Sequence, residues 1–124
     1  MFKTLLVEDN AAFRQSLKEM LSERFPQMIV EEAEDGEKAL QKVVGSLPHL
    51  VFMDIKLPNA NGLEITRKIK ERYSTIQVII LTSYDFPEYR EAAVQYGADH
   101  FLSKESSSRE DILALVESIY SEDG

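Results

Sequence analysis

The 124 residues carry 22 Asp and Glu against 14 Lys and Arg, for a formal net charge of −8. At 44% hydrophobic and 29% charged residues, this is the composition of one globular domain able to bury its own core, not of a disordered tail. The absence of cysteine excludes disulfides and thiolate metal sites and fits a cytoplasmic chain, and the negative surface disfavours nucleic acid phosphates.

No stretch approaches the roughly 18 consecutive apolar residues of a membrane span, and MFKTLLVEDN turns acidic too early for a signal peptide. Short apolar runs alternate with amphipathic segments of helix length. The runs are Thr4-Leu5-Leu6-Val7, Met28-Ile29-Val30, Leu50-Val51-Phe52-Met53, Val78-Ile79-Ile80-Leu81 and His100-Phe101-Leu102. They are too short for helices and rich in branched and aromatic side chains, so they predict five strands. The two four-residue runs Leu50-Val51-Phe52-Met53 and Val78-Ile79-Ile80-Leu81 are apolar throughout, a pattern that suits central parallel strands covered on both faces.

The first helix is predicted after Asn10 as N-cap, with Phe13, Leu17, Met20 and Leu21 on its apolar face. The second follows Asp35-Gly36 and turns Leu40, Val43 and Val44 inward. A third opens at Asn61 with Glu64 in capping-box spacing and a stripe of Ile65, Ile69 and Tyr73. The fourth starts between Asp85 and Pro87, buries Tyr89, Ala92, Ala93 and Tyr96, and stops at Gly97. The last is expected from Ser107, with Glu110 three residues on, and buries Ile112, Val116 and Ile119. Strict alternation predicts a single α/β domain, a doubly wound parallel sheet with helices on both faces.

In such a sheet the carboxyl ends of the strands share one edge, where ligands bind. Strand one runs into Glu8 and Asp9, strand three into Asp54, strand four into Thr82 and Ser83, strand five into Lys104. Each alone has an ordinary structural explanation. Together, three carboxylates at one edge repel unless a cation sits among them. Mg²⁺ suits one or two carboxylates plus waters and a phosphate. Lys104 then offers a point charge to a phosphoryl oxygen, Thr82 a hydroxyl donor, and one carboxylate remains as nucleophile. His49 precedes strand three at the opposite edge and His100 lies within strand five, so no histidine serves as a general base. There is no Ser-His-Asp arrangement and no glycine-rich phosphate loop. The chemistry is therefore positioning and electrostatics around a transferred phosphoryl group.

Over nearly its whole length the chain resembles the receiver domains of bacterial response regulators, through LLVEDN, VFMDIKLPNANG, IILTS and GADHFLSK. The resemblance implies the flavodoxin-like, CheY-like fold with strand order 2-1-3-4-5. It assigns Asp54 as the phosphoacceptor for a sensor histidine kinase. It gives Mg²⁺, with Mn²⁺ able to substitute, to Asp9, Asp54 and the backbone carbonyl of Lys56, with Glu8 acting through a water. It pairs Lys104 with phosphoryl oxygens, moves Thr82 toward the phosphate, and makes Phe101 the aromatic switch residue, so that Asp54, Lys104 and Thr82 carry the chemistry. Pro58 and Gly62 shape the loop after Asp54. The segment GADHFLSKESS is similar to NarL/FixJ-like (LuxR-type) regulators, whose receivers precede a DNA-binding output domain; no basic helix-turn-helix lies within residues 1–124.

The implied function is a phosphorylation-dependent switch controlling an output domain or downstream protein, typically transcription, with homodimerisation promoted by phosphorylation. It implies no turnover enzyme, no direct nucleic acid contact and no membrane contact. Three positions depart from the common pattern. Glu105 follows Lys104 where many receivers have a cis proline, so a trans bond or a rearranged loop is expected. Lys56 and Tyr84, two residues beyond Asp54 and Thr82, are expected to limit water's access and slow dephosphorylation. A degenerate receiver that works as a phosphorylation-independent binding module is the main alternative. An aspartyl-phosphate phosphatase would carry a second aspartate at position 56, and a flavin module would not begin its first loop with Glu8-Asp9-Asn10.

Overall fold

Three strands that are almost wholly buried form the middle of the sheet, because only there is a strand covered on both faces. They are β1 (Lys3–Val7), β3 (Leu50–Met53) and β6 (Gln77–Thr82), flanked by edge strands β2 (Ile29–Ala33) and β7 (His100–Ser103). The computed structural model describes residues 1–123. All five strands are parallel in the order β2-β1-β3-β6-β7, which is 2-1-3-4-5 when strands of the main sheet alone are counted. The helices are α1 (Ala11–Arg24), α2 (Gly36–Ser46), α3 (Gly62–Arg72), α4 (Pro87–Gln95) and α5 (Arg109–Asp123). A small antiparallel hairpin, β4 (Lys56–Leu57) with β5 (Ala60–Asn61), sits between β3 and α3, where no apolar run predicts a strand. Pro58 and Asn59 fill its two-residue turn. Asn59 has φ of 56°, a left-handed conformation that asparagine tolerates well.

Alternation along the strands splits the core into two layers. Leu6, Phe52, Ile79 and Leu81 face α1 and α5, meeting Leu17, Leu21, Ile112, Val116 and Ile119. Leu5, Val7, Val51, Met53, Val78 and Ile80 face the other way, toward α2, α3 and α4. Each fully buried aliphatic side chain contributes roughly 1.5–3 kcal/mol, so both layers are needed to hold the sheet.

Helix starts follow the expected chemistry with local differences. Asn10 accepts from the Phe13 N–H and Asp35 from the Lys38 N–H. Asn61 caps α3 by accepting from Leu63, but Glu64 pairs with Arg67 at 2.8 Å instead of closing a capping box. A reciprocal box does form at α5, one residue later than expected, between Ser108 and Asp111. Val44, expected inward, is exposed, since Ala39 and Val43 already occupy the buried stripe of α2. Tyr89, Ala92 and Tyr96 are half-buried and Ala93 fully buried; Tyr73 is the half-buried C-cap of α3. Strand β2 extends past Val30 through two glutamates. Their backbone stays in the β1 ladder while Glu31 meets Ser46 and Glu32 meets Arg14 and Lys18. That is possible because β2 is an edge strand with room for polar partners.

Glycine is required where α3 meets the end of β3. A Cβ on Gly62 would lie 1.8 Å from the Asp54 carbonyl oxygen, whereas one on Gly45 would meet nothing within 4 Å. Gly62→Ala is expected to destabilise the fold by on the order of 3 kcal/mol, and Gly45→Ala to stabilise it by about 0.5 kcal/mol. Urea denaturation of the two variants checks both signs.

Candidate functional site

The parallel register brings the strand ends level. Val7 pairs with Met53, and Met53 with Ile80, so the next residues along each strand emerge side by side. The Asp54 N–H continues the ladder to the Val7 carbonyl, the Glu8 N–H to Ala33, and the Lys104 N–H to Thr82. One carboxylate oxygen each from Glu8, Asp9 and Asp54 lie within 4.8 Å of one another. Glu8 and Asp54 are buried, while Asp9 stands at the rim.

Lys104 closes the cluster from the far side. Its Nζ donates to Glu8 Oε1 at 2.6 Å and to Asp54 Oδ2 at 3.3 Å. The remaining oxygens are held by backbone: Asn10 N–H donates to Glu8 Oε2 and Ile55 N–H to Asp54 Oδ1. Burial raises Glu8 above its ordinary 4.5, and the Asp54 charge adds to this. The hydrogen bonds from Lys104 and Asn10 and the Lys104 charge act in the opposite direction without cancelling it. For Lys104, burial works to lower the value, but the pull of Glu8 and Asp54 outweighs it and the ammonium is held above its ordinary value.

Three carboxylates face one ammonium, which leaves two negative charges uncompensated. Hard oxygen donors at this spacing fit a small divalent cation, whose opposite ligands in an octahedron stand about 4 Å apart. The arrangement therefore suits Mg²⁺ on both charge and donor type.

Thr82 is fully buried at the end of β6, and its hydroxyl accepts from the Tyr84 N–H at 3.3 Å. Phe101 pairs with Ile80 in the sheet and packs on the same core layer. The Arg90 guanidinium lies 4.6 Å above its ring and is itself bound to Asp85 at 2.5 Å. Glu8, Asp9, Asp54 and Lys104 are thus together, while Thr82 and Phe101 lie beside them on neighbouring strands. Lys56 is exposed on β4, with its Nζ over the Tyr84 ring at 5.3 Å and the Tyr89 ring at 6.0 Å. His49 accepts from the Lys3 N–H near the start of the sheet, remote from this edge.

Among the described residues there is no cis peptide bond, so Lys104–Glu105 is trans. The loop is secured by Ser103, whose Oγ accepts from the N–H groups of Glu105 and Ser106. Arg14, Tyr89 and Arg90 join the surroundings of the site without any motif to mark them, and Ser103 joins them from within GADHFLSK. Arg14 donates to the Glu8 carbonyl at 2.7 Å and to Glu32, a contact across sequence that no local pattern signals.

A family model described as the response regulator receiver domain matches residues 4–117. The chain belongs to the response regulator receiver family. DegU of Brevibacillus brevis, a transcriptional regulatory protein, is 32% identical over 115 residues, covering 93% of this chain and 47% of that protein. A LuxR-family two-component response regulator from an Aurantimonas species is 28% identical with a TM-score of 0.86, covering 96% of this chain and 84% of that one. TrrA from Thermotoga maritima, solved in complex with Mg²⁺-BeF, is 31% identical with a TM-score of 0.85, covering 96% and 99%. The first curated relatives are two to three times longer, with 33% and 47% of their length covered. Likeness to LuxR-family regulators agrees with the NarL/FixJ-like character of GADHFLSKESS. No helix among the described residues is long and apolar enough to cross a membrane.

Removing Lys104 leaves Glu8 and Asp54 buried without their cation. Lys104→Met is expected to lower metal-free stability by on the order of 2 kcal/mol at neutral pH. Because the folded state raises the Glu8 pKa, Glu8 favours folding below 4.5 and that contribution is lost as pH rises through the folded value. The Lys104→Met deficit therefore shrinks on acidification, and it also shrinks when Mg²⁺ is added. Urea titrations across pH, with and without Mg²⁺, read both effects.

Proposed function

We propose that this receiver is a phosphorylation-dependent switch of a two-component phosphorelay, accepting a phosphoryl group on Asp54 from a sensor histidine kinase. The observation that carries the reading is the cluster of Glu8, Asp9 and Asp54 oxygens within 4.8 Å, spanned by Lys104. A carboxylate oxygen of Asp54 attacks the phosphorus, the P–N bond to the phosphohistidine breaks, and its electron pair returns to the imidazole. Asp9, Asp54 and the Lys56 backbone carbonyl would hold Mg²⁺, or Mn²⁺ in its place, with Glu8 acting through a water. When bound, the ion neutralises charge on the phosphoryl oxygens. Lys104 leaves Glu8 to pair with a phosphoryl oxygen.

Thr82 supplies the second contact. Recruiting its hydroxyl breaks the bond it now accepts from the Tyr84 N–H, and Phe101 then turns into the space Thr82 vacates. The readout is the surface of α4, β7 and α5, presented to an output domain or downstream protein, with transcription as the controlled process. Residues 1–124 form the receiver, with no DNA-binding output domain among them. The domain catalyses its own phosphorylation and slow dephosphorylation, and is not a turnover enzyme. A cytoplasmic location and a phosphorylation-promoted homodimer complete the reading, with no nucleic acid or membrane contact by this segment.

With acetyl phosphate and Mg²⁺, intact mass spectrometry is expected to show one phosphoryl group on the wild type and none on Asp54→Ala. If the wild type gains nothing and binds no Mg²⁺, the degenerate binding module is the better account. The cap of Lys56 over Tyr84 and Tyr89 slows water's approach, so Lys56→Asn and Tyr84→Ala are expected to shorten the phosphoryl lifetime at least about threefold. Lifetimes equal to wild type in both would dismiss that role.

A further inference from the structure

Lys104 makes a third contact besides its two carboxylates. Its Nζ lies 4.3 Å from the centroid of the Phe13 ring, on the first turn of α1. The ring is placed by the same turn that shapes the acidic cluster. Asn10 caps α1 by accepting from Phe13's own N–H, and Asn10's N–H holds the second oxygen of Glu8. The half-buried ring also packs on the α1–α5 core layer and, with Glu8 and Asp54, lines a small void beneath the site.

The three partners of Lys104 differ in what a bound cation does to them. Glu8 and Asp54 would give up their hold on the ammonium once their oxygens turned to a bound cation or a phosphoryl group. An aromatic face attracts an ammonium through its quadrupole and offers nothing to a hard divalent ion beside three carboxylates. The ring contact therefore persists through the exchange of charge that the reaction requires. A flexible four-carbon stem would otherwise be free to swing into solvent once Glu8 lets go.

We propose that Phe13 is a positioning residue whose ring face keeps the Lys104 ammonium at the mouth of the carboxylate site, aimed at the phosphoryl oxygens, after Glu8 releases it. The inference rests on Asp54 as phosphoacceptor. A purely space-filling Phe13 is the competing account, and ring electronics separate the two, because fluorination withdraws the negative face while nearly preserving shape.

The test uses the whole chain with the Phe13 ring replaced site-specifically by its pentafluoro analogue, beside Phe13→Leu and Phe13→Tyr. The rate of phosphorylation by acetyl phosphate in Mg²⁺ is expected to fall about three- to tenfold with the fluorinated ring and with leucine. Tyrosine, which keeps the face, is expected to stay within about twofold of wild type. In metal-free protein, a double-mutant cycle of Phe13→Leu with Lys104→Met is expected to depart from additivity by at least about threefold in the folding equilibrium constant. An unchanged rate with the fluorinated ring overturns the proposal, and so does an additive cycle. If the wild type neither takes up a phosphoryl group nor binds Mg²⁺, the phosphoacceptor reading fails instead, and the metal-free cycle still decides whether the ring holds Lys104.

Discussion

Carboxylates crowded at the end of a sheet repel one another, and the ion cluster around Lys104 is what makes this edge tenable. Its Nζ reaches Glu8 across 96 residues of sequence and Asp54 across 50. The ends of β1, β3 and β7 are thereby joined by one ammonium. Such a clasp can exist only where parallel strands end on the same edge, in register, with short connections between them. It is incomplete by design, since one ammonium leaves two negative charges in excess. The deficit that weakens the metal-free domain is the same one that suits it to a divalent cation.

The surroundings keep those charges at their stations. Gly62 lets α3 press against the Asp54 carbonyl where any side chain would collide. Ser103 folds the loop after Lys104 around its hydroxyl, and Arg14 braces the Glu8 carbonyl from α1. By contrast, the segment from Thr82 to Arg90 is tied mainly to itself and its near neighbours: Thr82 to Tyr84, Asp85 to Arg90, Arg90 over Phe101, and Tyr84 with Tyr89 around Lys56. Rigid groups hold the charge, and locally bonded groups flank it. That division suits the switch proposed for this receiver, whose phosphorylation would be reported to a surface.

Much of this architecture is legible in the chain. Leu50-Val51-Phe52-Met53 is apolar at every position because β3 is covered on both faces, and it reads as a strand without ambiguity. Asn10 and Asp35 announce helix starts through the short-range hydrogen bonds they form. Where local pattern misleads, a partner elsewhere has intervened. Glu31 and Glu32 look like the end of a strand, yet Arg14 and Lys18 pair with Glu32, Ser46 donates to one oxygen of Glu31, and the ladder continues. Glu64 has capping-box spacing, yet Arg67 one turn along takes its carboxylate. Val44 matches the apolar period of α2 but lies on the flank that no element covers.

The sequence by itself determined the alternation of strands and helices. Through the polar residues that end each apolar run, it also determined which groups gather at one edge: Glu8, Asp9, Asp54, Thr82 and Lys104. These are consequences of local periodicity and of the handedness of parallel crossovers, both of which act over short stretches of chain. Only the tertiary structure decided who touches whom there. Lys104 chooses Glu8 over Asp54 as its nearer partner, rests on Phe13, and leaves Thr82 bonded to Tyr84; Lys56 lies over two tyrosine rings. Side-chain pairing of that kind depends on angles and distances to within an ångström between segments far apart in sequence. No local pattern encodes it.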